Sequence, residues 1–92
     1  MALTKTTIYP DSWTKIGDNV TTITFQNQSD TPILIELTAA DTAPALNTPG
    51  LVYDRFEGEL KKSLADMTYV SSPAYVWARS MTASASITHE ST

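Results

Sequence analysis

The amino-acid sequence predicts an all-β fold, a small antiparallel β-sandwich of jelly-roll or immunoglobulin-like type, with roughly six to eight short strands and at most one short helix. Three observations lead to this prediction. Apolar and polar residues alternate with a period of two in several segments, turn-forming residues recur about every ten residues, and only one segment has any helical spacing. The 92 residues suit a single domain, 1–92.

The first half of the chain contains the clearest pair of neighbouring strands. Two weaker strands are predicted near residues 6–9 and 13–16. A stronger one follows at 19–26, and an Asn-Gln-Ser-Asp turn at 27–30 leads into an apolar strand at 33–37. Because only a short turn separates the last two strands, we expect them to form a β-hairpin.

The middle of the chain is less regular. Residues 39–50 form a connection of about twelve residues with no periodicity, which is long for a compact domain. A short strand is predicted at 51–53. For the charged segment 54–66 two alternatives are equally favoured: one or two helical turns, within residues 57–66, or a polar crossover between strands.

The last third returns to strand patterns. A candidate strand at 67–70 precedes a Ser-Ser-Pro turn, and a further strand covers residues 74–79. Strict alternation of small or apolar residues with serine and threonine then predicts a half-buried antiparallel strand at 81–88. These segments complete the expected strand count.

The chain offers little that could perform catalysis or hold a metal ion. Its one histidine, His89, has no cysteine or serine-elbow motif to act with, so we interpret it as an exposed residue near the chain end. Asp54, Glu57 and Glu59 lack the spacing of a calcium loop, and one histidine without cysteine cannot form a tetrahedral zinc site. We therefore expect no enzyme, no cofactor and no metal.

Charge and hydropathy narrow the choice of partner. Six basic and ten acidic residues give a net charge of −4, so a phosphate backbone would repel this surface and no nucleic-acid partner is expected. The longest apolar run is far shorter than the roughly 18 residues of a membrane span, so no membrane partner is expected either. Protein–protein contact is the remaining class.

Aromatic residues are the candidates for a core or a subunit interface. Trp13, Tyr75 and Trp77 are interpreted in this way because small β-domains use such side chains for packing. Stacking of Trp13 or Tyr53 against a sugar ring is the alternative.

Two parts of the sequence resemble a known group of proteins. The stretch 75–80, Tyr-Val-Trp-Ala-Arg-Ser, with the small-residue strand 82–88, and the segment 23–37 with its Gln-Asn turn, resemble small β-sandwich virion structural proteins of tailed bacteriophages. The resemblance implies a structural virion protein, first of all a decoration or cement protein that binds the major capsid protein. It also implies self-association, with a homotrimer favoured, and synthesis in the cytoplasm of the bacterial host before assembly into the virion.

Other roles stay open beside the decoration role. The resemblance also suits a neck, tail or fibre-associated protein, and the aromatic residues suit a tail-tip carbohydrate-binding module. A regulatory or interaction domain unrelated to virions is a further class. For the particle contact, the first candidate is the loop 39–50, with Ala43, Pro44, Leu46 and Pro49, although a passive connection between the sheets is at least as strongly favoured for this loop alone.

Overall fold

Residues 3–92, which the computed structural model describes, form eight β-strands and one short helical turn. The turn is a 3₁₀ turn at Leu64–Asp66. The strands are β1 (Thr4–Ile8), β2 (Thr14–Gly17), β3 (Thr22–Asn27), β4 (Ile33–Thr38), β5 (Leu51–Tyr53), β6 (Gly58–Ser63), β7 (Tyr75–Ser80) and β8 (Ala85–Ser91).

The strands are arranged in two four-stranded antiparallel sheets. The first sheet has the order β1-β8-β3-β6 and the second has the order β2-β7-β4-β5. The antiparallel pairs β1–β8, β2–β7, β3–β6 and β4–β5 are those of one long hairpin rolled up on itself. This is jelly-roll topology, so the predicted all-β sandwich is confirmed, and the jelly roll is the type adopted.

The core lies between the two sheets and follows from the alternation in the sequence. In β3, Ile23 and Phe25 face inwards, and in β4, Ile33, Ile35 and Leu37 do the same. Each such side chain contributes about 1.5–3 kcal/mol when it is fully buried. Within residues 3–92, the buried cluster contains Ile8, Ile16, Ile23, Phe25, Ile33, Ile35, Leu37, Leu64, Val76, Ala78, Ala85 and Ile87.

The expected hairpin between the strands at 19–26 and 33–37 is wrong. β3 belongs to the first sheet and β4 to the second, so the intervening segment crosses the sandwich instead of closing a hairpin. Asn27, which is fully buried, directs this crossing. Its Nδ2 donates to the Thr31 and Tyr53 carbonyl oxygens at 2.8 and 3.1 Å, and its Oδ1 accepts from the Ser29 N–H at 3.0 Å.

The ambiguous segment 54–66 contains an edge strand followed by the 3₁₀ turn. Gly58 permits the pairing of β6 with β3, because a Cβ at this position would overlap the Phe25 carbonyl oxygen. A bulge follows at Lys61, which has a φ of 48° and donates its N–H to Thr24 Oγ1 at 2.9 Å. Leu60 therefore faces solvent whereas Leu64 enters the core, and their spacing of four is not helical.

Two further strand predictions need correction. The candidate strand at 67–70 does not form, because residues 67–74 are a loop without ladder pairing. The final strand runs over Ala85–Ser91 instead of 81–88. It reaches further towards the chain end because it is central in its sheet and pairs with both β1 and β3.

Candidate functional site

The three aromatic residues singled out in the sequence lie together on the outer face of the second sheet. None belongs to the buried cluster between the sheets. Along β7 the side chains alternate, so that Val76 and Ala78 face the core whereas Tyr75 and Trp77 face outwards. Trp77 is nevertheless only 7% exposed, so something other than the opposite sheet covers it.

Polar side chains surround the Trp77 ring. Its Nε1–H donates to Thr38 Oγ1 on the neighbouring strand at 2.9 Å. The ammonium group of Lys15 lies 5.9 Å from the Trp77 ring centre and 5.6 Å from that of Tyr75. The Lys15 Nζ also contacts Asp41 Oδ1 at 2.8 Å, and this hydrogen bond raises the pKa of Lys15.

The same contacts fasten the loop 39–50 against this face. Asp41 is a loop residue, and Trp13 Nε1–H donates to the carbonyl oxygen of Ala45 at 3.1 Å. The loop therefore has a structural role as a cover of the outer face. Of the four predicted contact residues, Ala43, Leu46 and Pro49 are exposed and Pro44 is half-buried.

Neither aromatic candidate for sugar stacking is free on all sides. The Arg79 guanidinium lies 5.2 Å from the Trp13 ring centre. The Tyr53 ring makes an edge contact with Phe25 at 4.8 Å between centroids, and its hydroxyl donates to Glu59 Oε2 at 3.0 Å. Burial, followed by that hydrogen bond, raises the pKa of Tyr53. Both rings are thus used in packing.

The acidic residues of the segment 54–59 make hydrogen bonds within the fold. Glu57 Oε1 accepts from the Asp54 N–H at 2.7 Å, and Glu59 accepts from Tyr53. Within residues 3–92, no group of three histidine, cysteine, aspartate or glutamate side chains is placed to hold a metal ion. Nor does this part of the chain contain a helix that is long and apolar enough to cross a membrane.

His89 is not the exposed terminal residue that the sequence suggested. It lies within β8, is half-buried, and its Nε2 is hydrogen-bonded to Thr6 Oγ1 at 2.8 Å. Burial lowers the pKa of this imidazole. The extension of β8 to Ser91, which sequence alternation alone did not indicate, explains the difference.

Sequence reasoning missed a set of exposed apolar side chains in residues 51–70. Leu60 is 78% exposed and Tyr69 is fully exposed. Leu51, Val52, Phe56 and Val70 are also exposed. The sequence pattern indicated this exposed set only weakly, because its members are interspersed with charged residues. Two of them, Leu51 and Val52, lie in the edge strand β5. β5 is an edge strand of the second sheet, β6 is an edge strand of the first, and the two follow each other in the chain.

Next to β5 there is a recess of about 500 Å³, which we call the β4 recess. One wall is the end of β4 with residues 49–51, and the other is the segment 65–69 that follows β6. The Leu37 N–H in this recess donates to the carboxylate of its neighbour, Glu36 Oε1, at 2.9 Å. The sequence had no signal for the recess, because its two walls are separated by many residues along the chain.

No family model, curated protein or solved structure matches this chain. The resemblance to phage virion proteins consequently stays a hypothesis based on the residues that carry it.

Proposed function

We propose that this chain is a structural virion protein of a tailed bacteriophage, a decoration or cement protein that stabilises the head by protein–protein contacts. Its partners are the major capsid protein and further copies of itself, with a homotrimer favoured. It is made in the bacterial host cytoplasm and is carried on the virion.

The single observation that carries this proposal is the exposed apolar set at residues 51–70. Exposed apolar side chains that adjoin one another mark protein contacts more often than scattered ones do. Leu51 and Tyr69 line the β4 recess together, and Phe56 and Leu60 together line a second recess. Leu60 and Tyr69 present most or all of their surface to solvent, and removing such surface from water contributes about 25 cal/mol per Å². A particle contact would use this surface, whereas an isolated monomer gains nothing from it.

Fold and self-association also support the proposal. Jelly rolls occur in capsid proteins and also in lectins, so the topology is compatible with the role but does not specify it. The edge strands β5 and β6 themselves contain three of the exposed apolar residues, Leu51, Val52 and Leu60. Covering exposed edges and apolar surface is a common reason for a small β-domain to associate.

The test is to mix the purified protein with capsids that lack it, pellet the particles and count the bound copies. We expect stoichiometric binding at capsid lattice positions. A handful of copies at one vertex would assign the protein to the neck or tail instead, and an absence of binding would refute the virion role.

A matched pair of variants tests the surface. Leu60→Ser combined with Tyr69→Ser removes two exposed apolar side chains of the 51–70 set, and Met81→Ser removes an exposed apolar side chain outside it. We expect the double variant to bind particles at least about tenfold more weakly, which corresponds to about 1.4 kcal/mol. Met81→Ser should bind as the unaltered protein does. Equal binding of all three proteins would contradict the assignment of this surface.

A further inference from the structure

We propose that the β4 recess binds an extended segment of a partner protein, which adds a strand to the second sheet and carries a basic side chain flanked by apolar ones. The proposal specifies the chemistry of the partner for the protein-binding role proposed above. It rests on that role in one respect only, namely that this chain binds other proteins.

The end of β4 lacks a neighbour on one side. β4 pairs with β7 as far as Thr38, but its pairing with β5 covers only Ile33–Ile35. Alternate residues of a strand direct their backbone groups to the same neighbour, so Leu37 faces the side on which β5 pairs with Ile35. The Leu37 backbone groups therefore lie at an open sheet edge, whereas the Thr38 carbonyl oxygen is directed to the other side, where it accepts from the Ala74 N–H.

Proline explains why β5 does not continue along β4. The register pairs Leu51 with Ile35, so continued pairing would place Pro49 opposite Leu37. Proline has no N–H to donate to a ladder, and the chain leaves the sheet at this point. Gly50 still lies close to β4, since a Cβ there would be 2.8 Å from the Ile35 carbonyl oxygen. The recess begins where this close approach ends.

The Leu37 N–H is satisfied by a substitute acceptor. Glu36 Oε1 accepts its hydrogen at 2.9 Å, in the position where a neighbouring strand would supply a carbonyl oxygen. A bound extended segment can replace this carboxylate with its own carbonyl oxygen, so that no buried donor is left unpaired. The exchange releases the Glu36 carboxylate into the recess.

Charge selects the occupant. Glu36 and Asp66 are the charged residues among those that line the recess, and both are acidic. A lysine or arginine in the segment would pair with them once Glu36 is released, and such charge-assisted contacts are stronger than neutral ones. A second copy of this chain, with a net charge of −4, is a less complementary occupant.

The shape and polarity of the recess determine the length of the bound segment and the residues that flank its basic side chain. Leu51, Met67 and Tyr69 provide apolar surface on the two walls. With about 3.3 Å per residue, the positions 36–38 accommodate three or four residues of an extended chain. Because side chains alternate along a strand, the basic side chain and its apolar neighbours point to opposite faces.

The experiment titrates the protein, labelled with ¹⁵N, with the peptide acetyl-Thr-Val-Lys-Val-Thr-amide and follows the backbone amides. A matched peptide replaces lysine with glutamate. We expect the lysine peptide to bind at least about tenfold more tightly, with its largest shifts at Leu37 and at residues 65–69. Failure of both peptides, equal binding of both, or shifts confined to other strands would overturn the proposal.

Two variants distinguish the contribution of the Glu36 charge from that of backbone pairing at the sheet edge. Glu36→Gln keeps an acceptor for the Leu37 N–H but removes the charge, so we expect the preference for the lysine peptide to fall at least about threefold. Leu60→Ser, on the edge strand of the other sheet, should leave the titration unchanged. Unchanged preference in Glu36→Gln would contradict the charge argument.

Two controls identify other outcomes. Shifts at Leu37 that grow with protein concentration in the absence of peptide would assign the recess to a second copy and overturn the partner segment. Particle binding without peptide binding would refute the recess and leave the decoration role standing. Peptide binding at Leu37 without particle binding would support the recess as a binding site and refute the decoration role.

Discussion

Trp77 and Thr38 are joined by a hydrogen bond across the outer face of the second sheet, with Trp77 Nε1 donating to Thr38 Oγ1 at 2.9 Å. The bond links β7 to the end of β4, and Thr38 Oγ1 in turn donates to the Ala40 carbonyl oxygen at 2.7 Å. The large aromatic side chain is thereby fixed at the start of the loop 39–50. A buried indole N–H needs a partner of this kind.

Thr38→Val should lower the free energy of unfolding by about 1–2 kcal/mol, because it leaves the indole N–H without its acceptor in a nearly water-free position. Urea unfolding measures the change. Thr42→Val, at an exposed loop position, is the matched control and should change stability by less than about 0.5 kcal/mol. Equal effects of the two substitutions would show that the Trp77 bond contributes nothing.

Trp77→Ala should cost about 3–5 kcal/mol, since the side chain is only 7% exposed and its removal leaves a cavity beneath the loop. Chemical denaturation with fluorescence of the remaining Trp13 measures this. Iodide quenching provides an independent check: if both tryptophans of the folded protein are fully accessible, the burial described for Trp77 is refuted.

Asn27→Ala should destabilise the fold by about 2–3 kcal/mol. The substitution leaves the partly buried carbonyl groups of Thr31 and Tyr53 without their Asn27 donor, and each such loss costs about 1–3 kcal/mol when no water replaces the donor. Gln28→Ala, next to it and half-buried, is the control and should cost less than half as much. A neutral Asn27→Ala would mean that this side chain does not direct the crossing between the sheets.

Stability should fall as the pH decreases below about 6.5, in part because of His89. Burial lowers the pKa of this imidazole in the folded chain below its ordinary 6.5. As the pH falls through 6.5 the unfolded chain therefore binds a proton first, and the free energy of unfolding decreases. Above that pH both states hold a neutral ring and the effect is absent.

His89→Gln isolates this contribution. The variant should lose less stability than the unaltered protein between pH 7.5 and pH 5.5, as measured by urea unfolding at both values. Contributions to the pH dependence that the two proteins share cancel in the comparison. An identical pH dependence would contradict a lowered pKa for His89.

Addition of EDTA should leave the melting temperature within about 1 °C of its original value. The carboxylates of Glu57 and Glu59 already accept hydrogen bonds from Asp54 and Tyr53, so they are engaged in the fold. Differential scanning fluorimetry with and without the chelator measures this. A decrease of more than a few degrees, reversed by added calcium, would show a metal site at these residues.

Alternation in the sequence by itself determined the fold class and the buried faces. Ile23 with Phe25, Ile33 with Ile35, and Ala85 with Ile87 all enter the core as their period of two predicts. This works because side-chain direction along a strand is a local property of the extended backbone. The same rule placed Tyr75 and Trp77 on a common face.

Tertiary structure alone decided which strands are neighbours and which residues cover the outer face of the second sheet. Alternation identifies a buried face but not the strand that pairs with it. The sequence therefore predicts a hairpin of β3 and β4, although the two strands belong to different sheets. Trp77 is buried on the outer face because Lys15 and the loop residue Asp41 meet there from distant parts of the chain. The β4 recess likewise exists only because Pro49 ends one strand while residues 65–69 pass beside it. Contacts between segments far apart in sequence are set by packing, which no local pattern encodes.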